Sequence, residues 1–236
     1  GNRVILRPSS QAIGCARVLA ETAAAALPAG ALHVWHGPTW AVFDAIRDDR
    51  VAAVTFTGSE TNGGQVVQSA IQFRKLVQAE MGGHNAAIVL DDADVHAAAE
   101  SIAGASMAFA GQKCTATRRV IALKPIARQL VISLLDQIEQ LPVGDPLDRS
   151  TVVGPMISAD ARSQAERMLS TVPATQILAG NRRSTPGWFL HPTVVALEDP
   201  GHSLAQEELF GPVLTIIVAN DIAEAVKVAN ATRFGL

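Results

Sequence analysis

Only two cysteines, Cys15 and Cys114, occur among 236 residues, and no C-x-x-C pair is present. Two are too few for a disulfide framework or a zinc site. His33, His36, His96, His191 and His202 show no metal-ligand spacing, so no metal is expected. Lysine and arginine never cluster into a long run, and the net charge is −3. A phosphate-binding surface needs concentrated positive charge, so nucleic acid is not an expected partner. No apolar stretch reaches the roughly 18 residues of a membrane span, and the first residues lack a charged-then-apolar leader pattern. These absences leave a small soluble ligand as the expected partner and the cytoplasm as the expected compartment. The G-x-G-x-x-G fingerprint of dinucleotide sites is absent too. With 48% hydrophobic and 17% charged residues, the chain can bury one large core or two modest ones.

Periodicity supplies the layout. Residues 3–6 read as a buried strand. Ser9 can then cap a helix with apolar positions at Ile13, Ala16, Ala20, Ala23 and Leu27, stopped by Pro28-Ala29-Gly30. Cys15 falls within this Ala-rich pattern, and burial is its expected role. Strand 31–35, helix 39–47, strand 51–56, helix 60–73 and strand 75–79 follow. Alternation of strand and helix predicts a parallel sheet covered on both faces, with ligands at the strand C-termini. Beyond Gly82-Gly83, the expected domain boundary, come strand 86–90, helix 95–109, strand 120–123 and helix 125–140. Helix 158–170, strands near 174–179, 188–190, 193–197 and 213–218, and helix 222–230 complete an α/β unit.

Four stretches carry chemistry. Gly111-Gln112-Lys113-Cys114-Thr115-Ala116-Thr117 places a cysteine among small and polar residues. A thiol attacks only as thiolate, so a nucleophilic reading needs a cation, for which Lys113 is placed, or N–H groups from an element starting at Thr115. The other reading of Cys114 is a small buried hydrophobe. Thr57-Gly58-Ser59 ends a strand and opens a helix, which suits either a phosphate or an ordinary helix start. Glu80 ends another strand ahead of two glycines, as a general base or as a solvated charge. Glu207 and Glu208 fit either a ligand site or the first turn of a helix.

Taken together, Glu80-Met81-Gly82-Gly83-His84-Asn85, Gly111–Thr117 and Glu207-Glu208-Leu209-Phe210-Gly211-Pro212 resemble the aldehyde dehydrogenase superfamily, and occur in its order. Arg7-Pro8-Ser9-Ser10-Gln11, Val143–Leu147, Gly154-Pro155, His191-Pro192-Thr193 and Phe234-Gly235-Leu236 extend the resemblance over the whole chain. It implies a Rossmann-like cofactor domain at 1–81, followed by an α/β catalytic domain at 82–236. The family match begins inside the first domain and stops before the end of the second. An upstream asparagine of the oxyanion hole and much of the homo-oligomerisation element would lie outside it.

The resemblance implies an aldehyde substrate, a Cys114 nucleophile and Glu80 as the base for a hydrolytic water. It also implies Gly58 and Ser59 at the cofactor pyrophosphate, Glu208 on the nicotinamide ribose and Phe210 beside the nicotinamide. His84 stands where many relatives carry lysine. In relatives preferring NAD+, the position of Ser10 often carries glutamate and that of Arg7 lysine; Ser10 and Arg7 therefore point to NADP+ preference or dual use over NAD+ alone. Gln112–Thr117 is similar to members acting on 2-oxoglutarate semialdehyde and related short semialdehydes. Two other readings stand beside this one: a coenzyme A-acylating enzyme, against which Glu80 argues, and a non-catalytic nucleotide-binding homologue.

Overall fold

In the computed structural model, which describes residues 1–180 and 186–236, strand and helix alternate through a first unit, Gly1–Met81. Its elements are Val4–Leu6 (β1), Ile13–Ala24 (α1), Leu32–Val34 (β2), Thr39–Arg47 (α2), Ala53–Thr57 (β3), Glu60–Gln72 (α3) and Leu76–Glu80 (β4). All pairing is parallel, but it forms two separate two-stranded ladders, β1 with β2 and β3 with β4, where the alternation predicts one sheet. Ile46, Val66 and Ala70 are its buried centre, with Val54, Phe56 and Val77 packed against them.

Two expectations fail in α1. The helix ends at Ala24, so Leu27 lies beyond it and is exposed. Cys15 is exposed as well. Ala16 is the buried residue of this helix, and at about 100° per residue its neighbour turns off the covered stripe.

The second unit, Gly82–Leu236, contains Ala86–Val89 (β5), Val95–Met107 (α4), Arg119–Leu123 (β6), Lys124–Glu139 (α5), Ala159–Leu169 (α6), Ile177–Ala179 (β7), Thr193–Ala196 (β8), Ser203–Gln206 (α7), Val213–Ala219 (β9) and Ile222–Asn230 (α8). Its five-stranded sheet runs β5-β6-β9-β8-β7, parallel except for β7 against β8. All five residues of β6 are buried, as a central strand covered on both faces requires. Asp94 caps α4, its Oδ1 accepting from the N–H groups of His96 and Ala97 at 3.0 Å each. Asp221 caps α8 through Glu224 N–H. The expected strand at 188–190 is irregular chain, held where Trp188 C=O accepts from Met156 N–H at 2.9 Å. The stretch 174–179 opens as a single 3₁₀ turn, Ala174–Gln176, before β7 begins. No helix among the described residues is long and apolar enough to cross a membrane.

Arg119, at the start of β6, is buried and donates to His84 C=O (3.0 and 2.8 Å), Val228 C=O (3.1 Å) and Ala229 C=O (3.0 Å). The last two belong to the C-terminal turn of α8, where carbonyls lack helical partners and partial negative charge collects. One side chain thus fastens α8 and the entry to β5 onto the sheet.

His84 itself is 2% exposed and lies 6.0 Å, ring to ring, from Phe234. Burial, reinforced by the charge of Arg119, pushes its pKa down from 6.5 to about 4. The folded protein therefore keeps His84 neutral where an unfolded chain takes up a proton. Its stabilising contribution is complete above pH 6.5 and is lost as pH falls towards about 4, up to about 3 kcal/mol. Urea unfolding of the full polypeptide at pH 7 and pH 4.5 should show this loss, and His84→Met should flatten the difference between the two.

Candidate active site

Helix α4 ends at Met107, and the chain then turns left-handed for three residues running: Phe109 (φ 56°), Ala110 (φ 54°) and Gly111 (φ 64°). For the two non-glycine residues this costs roughly 1–2 kcal/mol each. At Gly111 a side chain is also excluded by space, since a Cβ would run into the carbonyl of Gly211. Gln112 fixes the next step, its Oε1 accepting from Ile157 N–H at 2.8 Å and its Nε2 donating to Pro155 C=O at 3.3 Å. Cys114 then sits in a turn closed by Ala116 N–H donating to Lys113 C=O at 3.2 Å.

No helix starts at Thr115. Asn85 Nδ2 instead takes the carbonyls of Cys114 (2.6 Å) and Ala116 (3.0 Å), which draws the chain out towards β6. Lys113, the cation expected beside the thiol, lays its ammonium over the Phe109 ring at 5.5 Å. The buried cation at this turn is Arg118, 3% exposed. Its Nη2 donates to Lys113 C=O at 2.9 Å, Gly111 C=O at 3.2 Å and Glu208 Oε1 at 3.4 Å, and its Nη1 donates to Leu209 C=O at 2.6 Å. The guanidinium carbon lies 5.3 Å from the centre of the Phe210 ring. Burial lowers the pKa of Arg118, opposed chiefly by the Glu208 carboxylate and more weakly by Cys114. An arginine remains a cation through such a shift.

Glu207 and Glu208 follow α7 instead of opening a helix, and Glu207 is already extended (φ −117°, ψ 143°). Oε1 of Glu208 accepts from Gly83 N–H at 3.2 Å as well as from Arg118. A side chain at position 82 would collide with the Glu208 carboxylate, and one at 83 would come within 2.8 Å of Cys114 C=O. The glycine pair therefore admits the acid and the cysteine turn to the same short backbone. The second unit thus gathers Cys114, Glu208 and Phe210, the last 44% exposed, with Arg118 and Asn85 behind them.

Sequence reasoning passed over both supporting residues. The available signal was two arginines in succession at the head of an apolar strand, since a buried charge must have partners.

The first unit holds the other candidates. Gly58 N–H donates to Glu80 C=O at 3.1 Å, tying the C-terminal ends of β3 and β4 together. A Cβ at Gly58 would fall 2.7 Å from the Phe56 ring. Ser59 caps α3 through Asn62 N–H at 3.4 Å. Glu80 is exposed and accepts from Gln78 Nε2 at 3.4 Å. Arg7 is engaged at the start of α2, donating to Thr39 Oγ1 at 3.1 Å and Gly37 C=O at 3.4 Å. Ser9 is the capping serine, accepting from Gln11 N–H at 3.4 Å, and Ser10 stands exposed beside it. Among the described residues no three His, Cys, Asp or Glu side chains could hold a metal ion together.

Taken separately, each unit offers groups that suit one part of a dinucleotide. The N-terminus of the 13-residue α3, with Gly58 directly ahead of its capping Ser59, suits a pyrophosphate. A carboxylate suits ribose hydroxyls, and an exposed aromatic ring suits a flat heterocycle.

Comparison with known proteins finds similar aldehyde dehydrogenases. The chain is 36% identical to an alpha-ketoglutaric semialdehyde dehydrogenase of Bacillus subtilis (strain 168), matching all of this chain and 50% of that protein. It is 38% identical to a geranial dehydrogenase of Castellaniella defragrans, again over all of this chain and 50% of the relative. The chain therefore spans about half the length of the curated relatives it matches. A crystal structure of a Mycobacterium tuberculosis aldehyde dehydrogenase complexed with NAD+ superposes with a TM-score of 0.93 at 32% identity, over 99% of this chain and 50% of that one. The family model described as the aldehyde dehydrogenase family matches residues 1–236, and the chain belongs to that family.

Proposed function

We propose that the full polypeptide oxidises an aldehyde to the carboxylic acid, with Cys114 as nucleophile, Glu80 as general base and NAD+ or NADP+ as cofactor. The observation that carries this reading is the cysteine turn. The Cys114 carbonyl is bound by Asn85, while among the described residues none accepts the Cys114 N–H. That leaves the N–H for an oxyanion.

The Cys114 sulfur attacks the aldehyde carbon. The carbonyl π pair moves to oxygen, which accepts the Cys114 N–H, and a thiohemiacetal forms. Gly58, Ser59, Glu208 and Phe210 would hold the dinucleotide, with Arg7 and Ser10 on its adenosine side. When bound, the nicotinamide supplies the hydride acceptor that turns thiohemiacetal into thioester. Glu80 then takes a proton from water, the water oxygen adds to the thioester carbon, and the carbon–sulfur bond breaks to return the thiolate and release the acid. The Bacillus subtilis relative, named for alpha-ketoglutaric semialdehyde, supports a short semialdehyde as substrate, consistent with the Gln112–Thr117 stretch.

Cys114→Ser should lower kcat by on the order of 10⁴-fold or more while leaving cofactor binding within about twofold. Cys15→Ser, on the exposed face of α1, should be silent. Retained turnover in Cys114→Ser would sink the assignment. Glu80→Gln should slow thioester hydrolysis by about 10²-fold with little effect on hydride transfer. Rapid mixing would then show a burst of reduced cofactor before slow turnover; an unchanged steady-state rate would move the base elsewhere.

Cofactor preference turns on Ser10. A carboxylate there would face the 2′-phosphate of NADP+, and Ser10→Glu should shift the kcat/KM ratio towards NAD+ by about tenfold. A ratio unmoved by the change removes Ser10 from the choice.

A further inference from the structure

Arg118 is a side chain of the second unit that hydrogen-bonds both the nucleophile loop and the stretch carrying Glu208 and Phe210. We propose that it is a positioning residue for the cofactor carboxylate: its guanidinium fixes Glu208 by one oxygen while holding the carbonyls on either side of Gln112. This rests on the reading of Cys114 and Glu208 above.

A guanidinium has five N–H groups in a rigid plane and accepts nothing. At 3% exposure water cannot satisfy them, and Nε has no partner among the described residues, so the fork is held by Nη1 and Nη2. Nη1 spends its reach on Leu209 C=O, and Nη2, with two hydrogens, is shared among Gly111 C=O, Lys113 C=O and Glu208 Oε1. The carbonyls of Gly111 and Lys113 bracket Gln112, two residues ahead of Cys114, and Leu209 follows Glu208 directly. The planar fork therefore sets the spacing between the two stretches.

Glu208 is held by the same device. Its Oε1 takes Gly83 N–H and Arg118 Nη2, and among the described residues no donor meets Oε2. A carboxylate anchored through one oxygen keeps the other for ribose hydroxyls, without losing rotamer freedom when ligand arrives. The Phe210 ring against the guanidinium face fixes the neighbouring aromatic as well.

A lysine cannot replace this. Its ammonium keeps the charge, but one nitrogen cannot reach four oxygens drawn from two chain segments. Arg119, the next residue, is the natural structural control, because its donors go to His84, Val228 and Ala229.

The test is a double-mutant cycle in the full polypeptide, reading the cofactor Kd by calorimetry, kcat at saturating cofactor, and the melting temperature. Glu208→Gln should weaken cofactor binding by about tenfold, and Arg118→Gln by a similar factor with kcat lowered by about 10²-fold. Because one acts through the other, the double variant should bind cofactor within about twofold of either single one, a non-additivity of at least about fivefold. Arg118→Lys should fall on the side of the glutamine variant. Arg119→Lys should lower the melting temperature and leave the cofactor Kd in place. Independent multiplication of the Arg118 and Glu208 effects, or cofactor binding unmoved by Arg118→Gln while Glu208→Gln weakens it, would overturn the proposal alone. Binding unmoved by Glu208→Gln would overturn the underlying reading of Glu208. Should Arg118→Gln fail to fold, the same cycle run with Arg118→Lys decides in the same way.

Discussion

A guanidinium taken out of water must find an oxygen for nearly every N–H it carries, because each unmade bond costs a desolvation penalty of about 1–3 kcal/mol, more for a charged group. In the second unit that requirement falls on Arg118, where Nη1 and Nη2 meet it while Nε has no partner among the described residues, and the architecture of the cysteine loop follows from those bonds. Three of its acceptors are backbone carbonyls, of Gly111, Lys113 and Leu209, and the fourth is the Glu208 carboxylate. The loop carbonyls of Gly111 and Lys113 converge on Nη2 because the chain ahead of them leaves the helix. The left-handed Phe109, Ala110 and Gly111 make that departure. Their strain is local, while the bonds that hold the loop in place come from Arg118, Asn85 and the 155–157 segment.

What could be read from the sequence divides along the same line. Elements whose burial repeats at 3.6 or 2 residues were legible: Leu130, Leu134 and Ile138 line the covered face of α5, and the uninterrupted apolar run of β9 is a central strand. Caps are readable from local sequence where one side chain accepts from N–H groups two or three residues away, as with Asp94 and Asp221. The cysteine loop was legible as chemistry but not as geometry. Its conformation is set by partners 29 and 91 positions away, Asn85 from Cys114 and Leu209 from Arg118, and no local pattern encodes such contacts. Lys113 looked like the local cation because it is adjacent in sequence. Adjacency along an irregular backbone does not fix direction, and its ammonium goes to Phe109. Helix α7, four residues long, is too short to show a period, and Trp188–Leu190 was apolar enough to suggest a strand without a neighbour to pair with.

Arg118, just ahead of β6, and Arg119, its first residue, show how the entry to one strand serves two purposes. Successive residues of an extended chain face opposite sides, so Arg118 and Arg119 reach into different surroundings from adjacent positions. Arg119 spends its donors on the C-terminal carbonyls of α8 and on His84, which is cohesion of the fold. Arg118 spends its donors on the loop and the acid, which is arrangement of the site. Both burials are tolerable because their acceptors are fixed backbone oxygens that need no ordering, and because Glu208 partly balances one of the two charges.

The same economy explains Gly82 and Gly83. A carboxylate that must present one oxygen to a ligand has to be gripped by the other, and a grip from side chains alone would leave it free to rotate. Gly83 supplies a backbone N–H from a rigid peptide plane. Gly82 leaves the space in which the rest of the carboxylate lies, and the carbonyl of Cys114 packs close on the other glycine. A methyl group at either position would push the acid or the cysteine turn away, and neither can retreat without breaking the bonds to Arg118 or Asn85. The requirement for two consecutive residues without side chains is therefore steric and comes from both directions. It follows from bringing an acid and a nucleophile's backbone to one short peptide segment, and it needs no left-handed torsion at either glycine.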